Sequence, residues 1–176
     1  PTLLSQLTNL RNHYDMLKDK KYVPPYANFL KTADAKKALH VGDYEFNSSF
    51  PTMRTVIAFD LLKSFKTNFE SVLEKHKVMV FSGQFDIICS HYLNEKLFNR
   101  LSWSGAKFYR ENNRYPFTCG EILGGYFRQA KSFTHALVRN AGHNAVADQP
   151  QVVLGLLKKF ATGTFDQEIH SLDVDF

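Results

Sequence analysis

Cysteine is scarce in this chain of 176 residues: Cys89 and Cys119 are the only two. Two are too few for a disulfide-built scaffold, and their spacing is not that of a zinc site, so no bound metal is expected. Long hydrophobic runs are missing as well. The apolar stretches are only a few residues long, which excludes a membrane-spanning helix. Charge of one sign never accumulates either. The 22 Lys and Arg outnumber the 17 Asp and Glu for a net charge of +5 and a pI near 9.2. The lysines are nevertheless scattered, at Lys18, Lys20, Lys21, Lys31, Lys36, Lys37, Lys63 and Lys66. No basic stripe interleaved with stacking aromatics is formed, so nucleic acid is not an expected partner, and a membrane is not one either. Internal repeats and low-complexity tracts are absent.

What is present describes a folded protein. Hydrophobic residues make up 44% and charged residues 22%, which excludes a mainly disordered chain. The length suits one domain or a substantial piece of one. A start at Pro1 rather than Met fits a processed product, and an arbitrary boundary within a longer chain would look the same. Asn47-Ser48-Ser49 is a glycosylation acceptor sequence, flanked by Phe46 and Phe50 in an expected surface loop.

The chain reads as two parts, 1–76 and 77–176. In the first, Leu3, Leu4, Leu7, Leu10, Tyr14 and Leu17 fall close to one helical stripe. Pro24 and Pro25 break it, a short helix follows over 33–40, and 41–53 is loop. An amphipathic helix is expected over 55–76, with Leu62, Phe65, Phe69, Val72 and Leu73 on its core side. In the second part, strand and helix alternate. Val78-Met79-Val80-Phe81 reads as a central strand buried on both faces, followed by a helix over 91–100. "ILGGYFRQA" and "SFTHALVRN" read as neighbouring strands joined by a tight turn at Lys131-Ser132. A helix over 149–161 then presents Val152, Val153, Leu156, Leu157 and Phe160 to a core. The tail beyond Phe160, with Asp173 and Asp175, reads as solvated. This order argues for an α/β fold, specifically the C-terminal part of an α/β sheet.

Two polar landmarks sit where buried strands end. Asp86 lies just past the first strand, beyond Gly83, at the sheet edge where α/β proteins bind ligands. By itself it reads rather as a turn carboxylate that caps the following helix. His143 follows the last strand in "NAGHNAVADQP", and Pro150 suits the first turn of the helix after it. An imidazole held by a carboxylate is the acid–base half of a nucleophilic triad, and hydrolases of the α/β class carry Ser, Asp and His in that chain order. The serine is missing: there is no G-x-S-x-G, and Ser82 and Ser104 lie beside glycines without a strand–elbow–helix context.

At this point the sequence resembles the serine carboxypeptidase family, and most closely its vitellogenic-carboxypeptidase-like branch. "KKALHVG" (36–42), "KVMVFSGQFDII" (77–88), "LSWSG" (101–105), "GGYFRQAKSFTHALVRNAGH" (124–143) and "DQP" (148–150) follow in family order over nearly the whole chain. The resemblance implies the C-terminal part of an α/β-hydrolase fold with a helical cap segment, 1–76 forming the cap-region segment and lead-in helix and 77–176 the sheet. It implies Asp86 and His143 as catalytic acid and base, no cofactor, and a peptide substrate. It also implies a larger N-terminal companion chain carrying the serine, and residence in the secretory or lysosomal lumen with a glycan at Asn47. Two departures follow His143, where the family usually reads methionine, valine or leucine, and proline. Asn144 takes the methionine's place at the leaving-residue pocket, a substrate-binding position that it makes more polar, and Val146 takes the proline's. Cys89 stands where some relatives carry a thiol near the active site. Cys119 is open to a bond with Cys89 or with the companion chain. The competing expectation is a non-catalytic descendant used for storage, structure or binding.

Overall fold

The computed structural model describes residues 3–10, 12–18, 26–46 and 51–165. In chain order its elements are α1 (Leu3–Thr8), α2 (Tyr26–Phe29), α3 (Ala33–Ala38), α4 (Pro51–Leu61), α5 (Lys66–Lys75), β1 (Val78–Gly83), α6 (His91–Phe98), α7 (Ala106–Glu111), β2 (Tyr115–Cys119), β3 (Ile122–Ala130), β4 (Phe133–Val138), α8 (Ala145–Asp148) and α9 (Pro150–Thr162). They form two compact units, one of Pro1–Lys20 with Lys66–Phe176 and one of Lys21–Phe65. The expected division at 76 therefore falls inside the first unit, because Phe69 and Leu73 of α5 pack into the core against the sheet.

In the smaller unit, Thr32 caps α3 by accepting from the Ala35 N–H, and Asp34 in the first turn complements the helix dipole. The chain leaves this helix through His40, which takes a left-handed φ of 55°.

The larger unit is built on a sheet ordered β1-β4-β3-β2. β1 and β4 are parallel, and the other two pairings are antiparallel. Side chains alternate across it. Phe127, Ala136 and Val138 enter one core with Val152, Val153 and Leu156 of α9. Ala130 and Phe133 enter the other with Leu73, Phe98, Trp103 and Tyr109. Helices thus cover both faces, the layering of an α/β protein. Ser90 caps α6, and α9 starts with Pro150 and stops at Gly163, whose φ of 72° favours glycine.

Four expectations are corrected. The stripe through 3–17 is helical only as far as Thr8. Asn9 turns left-handed at φ 58°, and Asn12 and Asp15 accept from the N–H groups of Tyr14 and Leu17, turns that compete with a helix. The helix over 55–76 is two helices, since the Lys63 N–H bonds Asp60 and closes α4 with a tighter final turn. Among the described residues β1 is an edge strand rather than a central one: there it pairs with β4 alone, and Val78–Phe81 are half-buried, whereas β4 is buried along nearly its whole length. The chain beyond Phe160 stays packed as far as Phe165, which is buried against Phe127. Asp173 and Asp175 lie outside the described residues, as do Asn47 and the prolines at 24 and 25. β2 went unexpected because Pro116 argues against an interior strand. It forms the outer strand, where a missing N–H is tolerated.

Candidate active site

β1 and β4 run parallel and deliver Asp86 and His143 to the same end of the sheet. Glycine brings their loops together. A Cβ on Gly83 would lie 2.0 Å from the Gly142 carbonyl oxygen, so only glycine lets the strand end and the histidine loop touch. The Phe85 N–H then donates to Ala141 O at 2.8 Å. Asp86 is buried. Its Oδ1 accepts from the Ile88 and Cys89 N–H groups at 2.8 and 3.1 Å, which is the turn-capping role. Its Oδ2 meets Nδ1 of His143 at 2.9 Å. One carboxylate therefore does both jobs, capping the turn and holding the imidazole. The histidine side chain is 38% exposed and the aspartate 3%, so the ring sits at the surface on a buried support.

A segment that sequence reasoning assigned to a helix completes the arrangement. Residues 12–18 lie as a strap across both loops. Main-chain N–H groups of His143 and Ile87 donate to Tyr14 O and His13 O at 2.6 and 3.2 Å, and Met16 N–H donates to Phe85 O at 3.1 Å. The Tyr14 ring meets the His143 ring edge-on at 5.3 Å. A Cβ on Gly142 would lie 2.6 Å from Tyr14 O, so this contact too requires glycine. Asp148 accepts from the Gly142 N–H at 2.8 Å and from Lys18 Nζ at 2.6 Å, and Asp15 pairs with the same ammonium at 3.1 Å. These contacts raise the Lys18 pKa. No periodicity signals the strap; the Asn12 and Asp15 turns are its one local cue.

Cys89 places its sulfur near the pair: Asp86, Cys89 and His143 each offer a ligand atom within 4.8 Å of the others. Burial, then the Asp86 charge, push the thiol pKa up, which is the wrong direction for a nucleophile. Cys89 and Cys119 are not bonded to each other. Cys119 ends β2, at the opposite edge of the described sheet from β1, and its thiol donates to Val152 O at 3.5 Å. Asn144 follows the histidine and is exposed. An open groove runs past Asp86, lined by Met16, Gln84, Ser90, Tyr92 and Leu93.

The family model of the serine carboxypeptidases matches residues 3–163. The chain belongs to the serine carboxypeptidase family. Among its relatives in that family, the venom serine carboxypeptidase of Apis mellifera is 32% identical over 163 residues, which are 91% of this chain and 35% of that protein. The probable serine carboxypeptidase CPVL of Homo sapiens is 27% identical, over 93% of this chain and 35% of its own length. The crystal structure of Kex1(Δ)p, a prohormone-processing carboxypeptidase from Saccharomyces cerevisiae, superposes with a TM-score of 0.70 at 19% identity, over 86% of this chain and 36% of that one. The fold is thus the expected one, the C-terminal part of an α/β hydrolase. This family member spans about a third of the length of the curated relatives it matches. Among the described residues no helix is long and apolar enough to cross a membrane.

Proposed function

We propose that this chain supplies the acid and base of a serine carboxypeptidase, Asp86 and His143, to a nucleophilic serine outside these 176 residues. The contact between His143 Nδ1 and Asp86 Oδ2 carries the reading. With Nδ1 engaged, Nε2 is the nitrogen left to take a proton from the serine hydroxyl as it attacks the last peptide carbonyl. Asp86 holds the tautomer and stabilises the imidazolium. The same proton then passes to the departing amino group, leaving an acyl-enzyme that water cleaves by the reverse path. The match to about a third of the relatives' length supports placing the serine in a preceding portion or companion chain. Asn144, exposed beside the histidine, borders the released residue and favours a more polar one. The secretory or lysosomal lumen, with a glycan on Asn47, is the compartment that the sequon and the venom and prohormone-processing relatives support.

The second reading, a non-catalytic relative, draws on the altered loop Asn144-Ala145-Val146. A peptide and its C-terminally amidated copy, incubated with the full-length protein, separate the two. Stepwise release of C-terminal residues from the free acid, with the amide spared, is the expected outcome. Inertness toward both overturns the enzyme reading.

A further inference from the structure

His143 stands half out of the surface, and the loop carrying it has no proline to stiffen it. Its place is set by what touches its backbone: Tyr14 O receives its N–H, and Asp148 Oδ2 receives the N–H of Gly142. Asp15 approaches Gly142 as well, close enough that a Cβ on that glycine would lie 2.7 Å from the aspartate's own Cβ. Two carboxylates, Asp15 on the strap and Asp148 at the end of α8, thus flank Gly142. One ammonium joins them. Lys18 Nζ lies 3.1 Å from Asp15 Oδ2 and 2.6 Å from Asp148 Oδ1.

We propose that Lys18 is a positioning residue for His143, closing the strap of residues 12–18 over the histidine loop through its paired contacts with Asp15 and Asp148. The proposal rests on the carboxypeptidase reading above. Without the ammonium, the two carboxylates repel across Gly142, and opposite charges that drew strap and loop together become like charges that part them. The displacement reaches the imidazole directly, since the strap's Tyr14 carbonyl holds the His143 N–H. Lys18 is itself 57% exposed. Ion pairs of exposed lysines contribute little to global stability, so the effect belongs to geometry rather than melting.

The full-length protein carries the test, as Lys18→Met, Lys18→Arg, Asp148→Asn and the Lys18→Met/Asp148→Asn double variant. The Lys18→Met substitution should lower kcat about tenfold, as small misplacements of catalytic groups do, with KM within about twofold and melting nearly unchanged. The Lys18→Arg variant should retain most activity. In the double variant, the amide that replaces the Asp148 carboxylate removes the unbalanced charge, while its oxygen still accepts from the Gly142 N–H. There kcat should recover relative to Lys18→Met. The far-downfield proton resonance of His143 Nδ1, bonded to Asp86, should broaden in Lys18→Met and sharpen again in the double variant. If Lys18→Met does not accumulate, Lys18→Gln with the same second substitution carries the same comparison. Wild-type kcat and resonance in the lysine variant, or no recovery in the double variant, overturn the proposal. A wild-type protein without turnover refutes the carboxypeptidase reading instead, and the resonance still decides the strap.

Discussion

Asp86 shows how one residue satisfies two demands. Three hydrogen bonds converge on its carboxylate, two from the turn's N–H groups and one from His143. The Asp86→Asn variant should keep the turn, because an amide oxygen still accepts those N–H groups. It fails to hold the imidazole in the tautomer that bases a serine. On the proposed carboxypeptidase reading, kcat of the full-length protein should fall by roughly 10³–10⁴-fold while the fold persists, as steady-state kinetics and near-UV circular dichroism would register. A loss of tenfold or less would mean that Asp86 serves the turn alone. Both members of the pair were legible in the sequence because each follows an apolar strand directly, beyond a glycine. Tyr14, Asp15 and Lys18 were not legible. Tyr14 fell on a helical stripe with Leu10 and Leu17, and that pattern outweighed the local turns in which Asn12 and Asp15 accept from the N–H groups two residues on.

At the scale of elements, the face between β4 and α6–α7 holds a second polar cluster. The rings of His91 and His135 stack at 4.0 Å, and Tyr109 Oη lies 2.8 Å from His135 Nδ1. Burial, then the nearby Arg114 charge, push the His91 pKa down to about 4; burial, then His91, take His135 to about 2. Both imidazoles are therefore neutral in the folded protein, while the unfolded chain protonates them near the ordinary value of 6.5. A depressed folded pKa contributes stability that is whole above 6.5 and is lost as the pH falls from there through 4. The melting temperature should decline over that window, and His91→Gln should flatten the decline. An identical slope in the variant would contradict the assignment. Which elements were legible follows from how each is specified. α9 carries its own apolar periodicity between Pro150 and Gly163, and β4 is a short apolar run buried nearly throughout. The break between α4 and α5 does not, because Leu62 and Phe65 continue the apolar stripe of Phe69 and Leu73 although both are exposed.

The whole molecule turns on β1. Its run of Val78, Met79, Val80 and Phe81 has the composition of a strand with neighbours on both sides, yet within the described residues only β4 pairs with it. An apolar edge left unpaired among the described residues invites another strand. The sequence therefore reads β1 as a strand with apolar residues on both faces, while its place at the edge of the described sheet is something nothing local determines. The pair beside that edge lacks a nucleophile of its own. Both facts follow if the serine lies in the portion of the protein that completes the sheet. The decisive experiment is fluorophosphonate labelling of the full-length protein, with the labelled peptide identified by mass spectrometry. One labelled serine outside residues 1–176 is expected, with labelling slowed about a thousandfold or more in His143→Ala. A label on Ser82 or any other serine of this chain, or one indifferent to the loss of His143, would contradict the shared-triad reading.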